Sequence, residues 1–132
     1  MATFPKCKVA EGQVTLAEIN AGTTTNGVII VPNVAGKTIT VVDAWFRSAA
    51  GGTCGGCTAV VLEDNAGVDV LSVTAATLTL AAVVRGGASN ATATNFGTAL
   101  TKGKGLRISR TVADVTTMTA MDYVVLYKVD SD

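Results

Sequence analysis

Cys54 and Cys57 stand three positions apart in Gly51-Gly52-Thr53-Cys54-Gly55-Gly56-Cys57-Thr58. A C-x-x-C pair supports thiol–disulfide chemistry, metal binding, or a local disulfide that stiffens its own loop. A structural zinc site takes four ligands, usually Cys or His. The third cysteine, Cys7, lies 47 positions before Cys54, and the chain has no histidine. A complete zinc site would therefore need a carboxylate, a water or a second subunit. A thioredoxin-type redox motif belongs at a helix N-terminus after a strand, whereas Thr58-Ala59-Val60-Val61-Leu62 reads as a strand. Unpaired thiols, a Cys54–Cys57 disulfide, and metal or redox chemistry all stay open. The flanking glycines would tolerate the tight ring of a disulfide.

The absence of histidine excludes Ser-His-Asp triads, Cys-His pairs, HExxH zinc sites and His-ligated iron. Gly97-Thr98-Ala99-Leu100-Thr101-Lys102-Gly103-Lys104-Gly105 superficially matches a phosphate-binding loop. It fails on spacing, on the missing Ser or Thr for magnesium, and on the strand that follows where a helix is required. It reads instead as a glycine-rich turn entering a strand. The carboxylates Glu11, Glu18, Asp43, Glu63, Asp64, Asp69, Asp114, Asp122, Asp130 and Asp132 fall mostly at turns and strand ends, where solvated charge is normal. A glycosidase would need two of them facing each other in a cleft. Asp64, Asn65 and Asp69 could offer oxygen ligands to calcium, but their spacing is no EF-hand loop and suits a capped turn. Asn90-Ala91-Thr92 fits the glycosylation pattern, which matters only in an exported chain. No catalytic, cofactor-binding or metal-binding residues are assigned, and the expectation is a protein that is not an enzyme.

Arg47, Arg85, Arg107 and Arg110 each fall at or near a strand end. They read either as a solvated rim that blunts strand edges or as anchors in an interface, where arginine is favoured. Trp45 and Phe46 are adjacent and so face opposite sides of a strand. One can pack the core while the other serves a subunit contact. The candidate contact residues are Phe4, Trp45, Phe46, Arg47, Arg107 and Arg110.

The elements that must position these residues come from an unusual composition. Alanine, threonine and valine make up about 45 % of the 132 residues, with 14 glycines and 2 prolines. Ten basic residues balance ten acidic ones, so the electrostatic footprint of a nucleic-acid binder is missing. No apolar stretch is long enough to span a membrane as a helix. The N-terminal residues lack the apolar run of a signal peptide, which points to assembly in a cytoplasm.

The hydrophobic pattern is all-β, with short strands separated by Gly, Asn and Asp clusters. Strands are expected at Val14 to Ile19, Gly27 to Val31, Lys37 to Ser48, Thr58 to Glu63, Val68 to Val73, Leu78 to Arg85, Lys104 to Arg110 and Asp122 to Val129. Lys37 to Ser48 is apolar on both faces, as in a strand covered on both sides. Asp64-Asn65-Ala66-Gly67 is a hairpin turn, and Gly86 to Thr98 reads as loop. Leu106 and Ile108 should face inward and Arg107 and Ser109 outward. Tyr123, Val125, Tyr127 and Val129 share one face, expected to meet the core. About eight strands with no long helix pack most economically as a single-domain antiparallel β-sandwich or jelly roll. The expected organisation is an N-terminal arm over residues 1–12 and a sandwich domain over 13–132.

Three segments resemble small β-sandwich virion proteins of tailed bacteriophages, in particular capsid decoration or cement proteins. They are Lys37-Thr38-Ile39-Thr40-Val41-Val42-Asp43-Ala44-Trp45-Phe46-Arg47, Gly97 to Ile108, and Met121-Asp122-Tyr123-Val124-Val125-Leu126-Tyr127-Lys128-Val129. The Cys54–Cys57 loop is outside the resemblance. What it implies is a non-enzymatic protein on the outer surface of an assembled capsid. Such a protein bridges neighbouring copies of the major capsid protein, often as a homotrimer. The alternative of a different class is the receptor- or glycan-binding head of a tail fibre. That alternative needs exposed aromatic platforms, and the chain has only six aromatic residues.

Overall fold

The computed structural model describes residues 6–21, 27–86 and 91–131. Phe4 and Asn90 lie outside the described residues. In chain order the elements are β1 (Lys8–Thr15), α1 (Leu16–Ala21), β2 (Val28–Val31), β3 (Lys37–Ala50), β4 (Ala59–Asp64), β5 (Asp69–Thr74), a 3-10 turn (Ala75–Thr77), β6 (Val83–Arg85), β7 (Ala91–Ala93), β8 (Leu106–Arg110) and β9 (Ala120–Ser131). Every strand pairing is antiparallel. The strands form a four-stranded sheet, β1-β9-β3-β6, and a five-stranded sheet, β2-β8-β4-β5-β7. The fold is an all-β sandwich.

Alternation along the strands puts one apolar set between the sheets. The four-stranded sheet contributes Ile39, Val41, Ala44, Phe46, Val84, Met121 and Val125, and the five-stranded sheet contributes Val31, Val60, Leu62, Leu71, Val73, Leu106 and Ile108, all buried. Tyr123, Tyr127 and Val129 pack against this core from the expected face of β9. A buried side chain of this size stabilises the fold by about 1.5–3 kcal/mol. The β4–β5 hairpin forms at the expected turn. The Gly67 amide donates to the Asp64 carbonyl at 3.0 Å, and Gly67 sits at a φ of 92°, a region open to glycine without strain.

The segment 97–103 runs along the first half of β3. The amides of Gly97, Leu100 and Gly103 donate to the carbonyls of Val41, Ile39 and Lys37 at 2.7–2.9 Å. The glycine-rich stretch thus spends its amides on covering a strand edge.

The chain departs from the sequence expectations in four places. Lys8 to Gly12, read as arm, are the first part of β1 and pair with β9 from Tyr127 to Tyr123. Val14 to Ile19, read as one strand, is strand only to Thr15. There a reciprocal capping box starts α1: Glu18 Oε1 accepts from the Thr15 amide at 3.2 Å and hydroxyl at 3.0 Å, and the Glu18 amide donates back to Thr15 Oγ1 at 3.2 Å. Two helix donors are satisfied that a strand would have paired elsewhere. Third, the expected loop from Gly86 contains the short strand β7. Fourth, only the end of Leu78 to Arg85 is strand. Arg107 and Ser109 face outward as expected, yet both are buried.

Candidate functional site

A β-bulge and two strand registers build the outer face of the four-stranded sheet. The β3–β9 register shifts between Val41 and Asp43, which leaves Val42 unpaired and turns Asp43, Trp45 and Arg47 outward together. Three cross-strand rows follow. Val9, Leu126 and Asp43 form one; Glu11, Val124, Trp45 and Arg85 the next; Gln13, Asp122, Arg47 and Val83 the third. Trp45, Val124 and Leu126 are half-buried, while Val9, Val42 and Val83 are 43–55 % exposed. Val9 and Leu126 thus lie beside Val124 and Trp45 on this face, with Val42 at the bulge and Val83 beyond Arg47. Exposed apolar residues scattered singly are ordinary, but a contiguous patch marks an interaction surface.

Four of the five charged side chains in these rows are paired with each other. Asp122 accepts from Gln13 Nε2 at 2.9 Å and from Arg47 Nε at 3.1 Å, and Arg47 Nη2 reaches the same carboxylate. Arg85 closes an ion pair with Asp43. The Arg47 hydrogen bond, helped by Gln13, holds the Asp122 carboxyl below its ordinary range. Within these rows lies an open concavity of about 520 Å³. Its lining includes Trp45, Arg47, Val83, Asp122, Glu11 and Gln13.

The other candidate contact residues go elsewhere. Phe46 is adjacent to Trp45 but points inward and has no exposed surface; it is a core residue and is corrected as a contact candidate. Arg107 is also corrected as an exposed anchor. It faces outward on the five-stranded sheet, but its guanidinium is held with Nε 2.8 Å from Glu63 Oε1 and Nη1 3.4 Å from the Asn65 carbonyl. Both partners of this ion pair are more than nine-tenths buried. Asp69 stands beside Glu63 in register. Burial and then Glu63 push its carboxyl above the ordinary range. Arg110 faces inward at the end of β8 and is 8 % exposed. Its Nε and Nη2 donate to Asp114 Oδ1 at 3.1 and 2.6 Å. Trp45 and Arg47 are thus the two candidates that share an accessible face.

Cys54 and Cys57 are both buried and free, with their sulfurs 3.9 Å apart. They cap the core at the end of the sandwich where Arg110 lies. Among the described residues no group of three or more His, Cys, Asp or Glu side chains is placed to hold a metal ion. The Asp64 carboxylate, considered above for calcium, accepts from the amides of Ala66 and Val68 at 2.9 Å and of Thr101 at 3.1 Å. It is a turn cap that also ties in the 97–103 segment.

Sequence reasoning did not single out Val9, Val42 or Val83. Val42 depends on the bulge, which strict alternation hides. Val9 and Val83 join Trp45 only once β1 and β6 dock on opposite sides of the β3–β9 pair. Val112 was missed too. It is 81 % exposed in the turn after β8, at a φ of 73° that is a true outlier for a β-branched residue.

Compared with protein-family models, curated proteins and solved structures, the chain finds no match. The class that the fold itself defines is an antiparallel β-sandwich with one sheet face left apolar and open. Among the described residues no helix is long and apolar enough to cross a membrane.

Proposed function

We propose that this chain is a non-enzymatic structural protein of a tailed-bacteriophage virion. In this reading it binds the outer surface of the assembled capsid and stabilises it by bridging neighbouring copies of the major capsid protein. The observation that carries the reading is the apolar set Val9, Val42, Val83, Trp45, Val124 and Leu126 on one sheet face, beside the ion pairs Arg47–Asp122 and Arg85–Asp43. An apolar centre with a polar rim is the anatomy of a protein interface, and Trp and Arg are enriched there. Rim charges that already have partners keep them when a protein covers the centre.

We also read the sandwich as a jelly roll. With the three-residue β7 set aside, the remaining strands fall in the order first-eighth-third-sixth in one sheet and second-seventh-fourth-fifth in the other. Double-sheet jelly rolls recur in viral capsid and lectin domains. Fold alone does not assign function, so this order supports the reading beside the segment resemblance. A homotrimer would multiply weak contacts into avidity. A clamp that prefers the assembled shell to its separated subunits stabilises the shell by mass action.

The test is the mass of the purified protein in solution, alone and mixed with capsids that lack it. A trimer that sediments with the shells and raises their melting temperature supports the proposal, and Trp45→Ala should weaken that binding at least tenfold. A protein that ignores shells overturns it. The concavity at Trp45 favours one second reading, a glycan site. Trp45 would be the platform, with Glu11, Gln13, Asp122 and Arg47 as hydrogen-bonding groups. Binding of the isolated protein to host-surface polysaccharide, with no binding to shells, would establish it in place of the first.

A further inference from the structure

Gly55 and Gly56 separate Cys54 from Cys57, and both ends of this loop are pinned. The Cys54 amide donates to the Leu78 carbonyl at 2.9 Å, the Gly55 carbonyl accepts from the Thr116 amide at 2.9 Å, and the Thr58 amide donates to the Thr111 carbonyl at 3.2 Å. Gly56 sits at a φ of 86°, and a Cβ there would fall 2.3 Å from the Asp114 carbonyl oxygen. The loop is therefore pressed onto the segment that follows β8, and the two sulfurs face each other inside it.

Arg110 stands behind them and supplies an independent observation. Its Nε and Nη2 are spent on Asp114, but Nη1 is buried and has no hydrogen-bond partner among the described residues. A buried guanidinium nitrogen left without an acceptor is costly. Arg110 is tied to the cysteine loop through Asp114, whose side chain it holds and whose carbonyl oxygen lies against Gly56.

We propose that Cys57 is a reactive thiolate held beside Arg110, and that it closes a reversible disulfide with Cys54 when it meets a small-molecule disulfide. The contact between the two thiols lowers the Cys57 thiol to about 7, against desolvation and with help from its own backbone and then Arg110. The same contact, then burial and repulsion from Cys57, pushes Cys54 up. Cys57 is also the more exposed residue of the two. Cys57 is thus the attacking thiol and Cys54 the resolving one.

The chemistry balances with an external disulfide RSSR as oxidant. The Cys57 thiolate attacks one sulfur, the R–S–S–R bond breaks, and one RS⁻ leaves and takes up a proton. Cys57 no longer carries charge in the mixed disulfide, so it no longer holds the Cys54 proton in place. Cys54 loses that proton to solvent and attacks the Cys57 sulfur, expelling the second RS⁻. Two electrons pass to RSSR, which becomes two RSH. The sulfurs must close from 3.9 Å to the roughly 2.05 Å of a disulfide. Glycines at both intervening positions allow that movement.

The experiment uses the full chain carrying Cys7→Ser, since Cys7 is exposed and would react on its own. Oxidised glutathione is the probe, and intact mass and the rate against pH are the readouts. The titratable groups around Cys57 are Cys54, Arg110 and, behind Arg110, Asp114. The expected product is an internal disulfide without retained glutathione, formed in the folded protein. A further Cys54→Ser change should trap one glutathione on Cys57. A further Cys57→Ser change should leave Cys54 at least about tenfold slower near neutral pH. Arg110→Met should slow trapping on Cys57, and Arg110→Lys should restore it in part; each variant's melting curve confirms that it is folded. Thiols that react only after denaturation, or a Cys54 as reactive as Cys57, would overturn the proposal.

Discussion

Asn20 and Val115, 95 positions apart, hold each other through two hydrogen bonds of 2.8 Å. The Asn20 amide nitrogen donates to the Val115 carbonyl, and its oxygen accepts from the Val115 amide. One side chain thus replaces the strand partner that the irregular segment before β9 lacks. It also anchors α1, whose Ile19 is buried in the core. The last turn of the helix is thereby tied to a segment far along the chain.

Asn20→Leu should therefore destabilise the fold by about 2–4 kcal/mol, since a buried backbone donor and acceptor both lose their partner. Asn20→Asp should cost less, as the acceptor survives while the donor is lost. Urea unfolding of the three proteins measures the order. A loss below about 0.5 kcal/mol for Asn20→Leu would show that water replaces the amide.

Trp45 and Phe46 should separate binding from folding. Phe46→Ala removes a fully buried ring from the core and should cost about 3–5 kcal/mol. Trp45→Ala removes a half-buried ring from the open face and should cost much less stability while, under the proposed function, weakening shell binding at least tenfold. Thermal melts paired with shell sedimentation distinguish the two effects.

The Glu63–Arg107 ion pair should be unforgiving to single changes. Glu63→Leu or Arg107→Met leaves an uncompensated buried charge and should cost about 3–5 kcal/mol. The double variant Glu63→Leu with Arg107→Met should recover much of that loss. A double-mutant cycle on unfolding free energies gives the answer. Additive losses would mean that the pair is not coupled.

Two carboxyls should make the fold acid-labile. Burial opposes ionisation of Asp64, but hydrogen bonds involving Thr101, Val68 and Ala66 outweigh it, so its carboxyl titrates below the ordinary 3.8. Asp122 is lowered mainly by Arg47. Such groups bind fewer protons folded than unfolded. Their stabilisation is present above 3.8 and is lost as pH falls through their lowered values. Asp69 has the opposite sign. Its raised carboxyl favours the fold at low pH, and that share disappears as pH rises through the raised value. Melting temperature against pH should fall below about pH 4. Asp122→Asn should flatten the fall, and Asp69→Asn should raise the melting temperature near neutral pH. An acid limb unchanged by Asp122→Asn would refute the assignment.

Much of this architecture is legible in the residues. Val and Ile in short alternating runs, Asp64-Asn65-Ala66-Gly67 between two of them, and the absence of long helical periodicity specify an antiparallel sandwich. Alternation also assigns Tyr123, Val125, Tyr127 and Val129 to the inner face of β9. The Thr15-Leu16-Ala17-Glu18 capping box was present in the sequence as well, but Val14 to Ile19 also alternates. Side chains reaching back to helix amides decide for helix there.

What only the tertiary structure decided is the fate of each polar residue, because that depends on partners far away in sequence. Arg47, Arg107 and Arg110 look alike at strand ends. Arg47 meets Asp122 on an open face, Arg107 is covered by Glu63 from the neighbouring strand, and Arg110 is turned inward toward the cysteine loop. The open patch is likewise a product of assembly. Val9, Trp45 and Val83 come from β1, β3 and β6, and the bulge at Val42 sets which side chains face outward together. Local preference reads each strand's two faces from the sequence; strand order and register choose which faces meet, and which one is left bare.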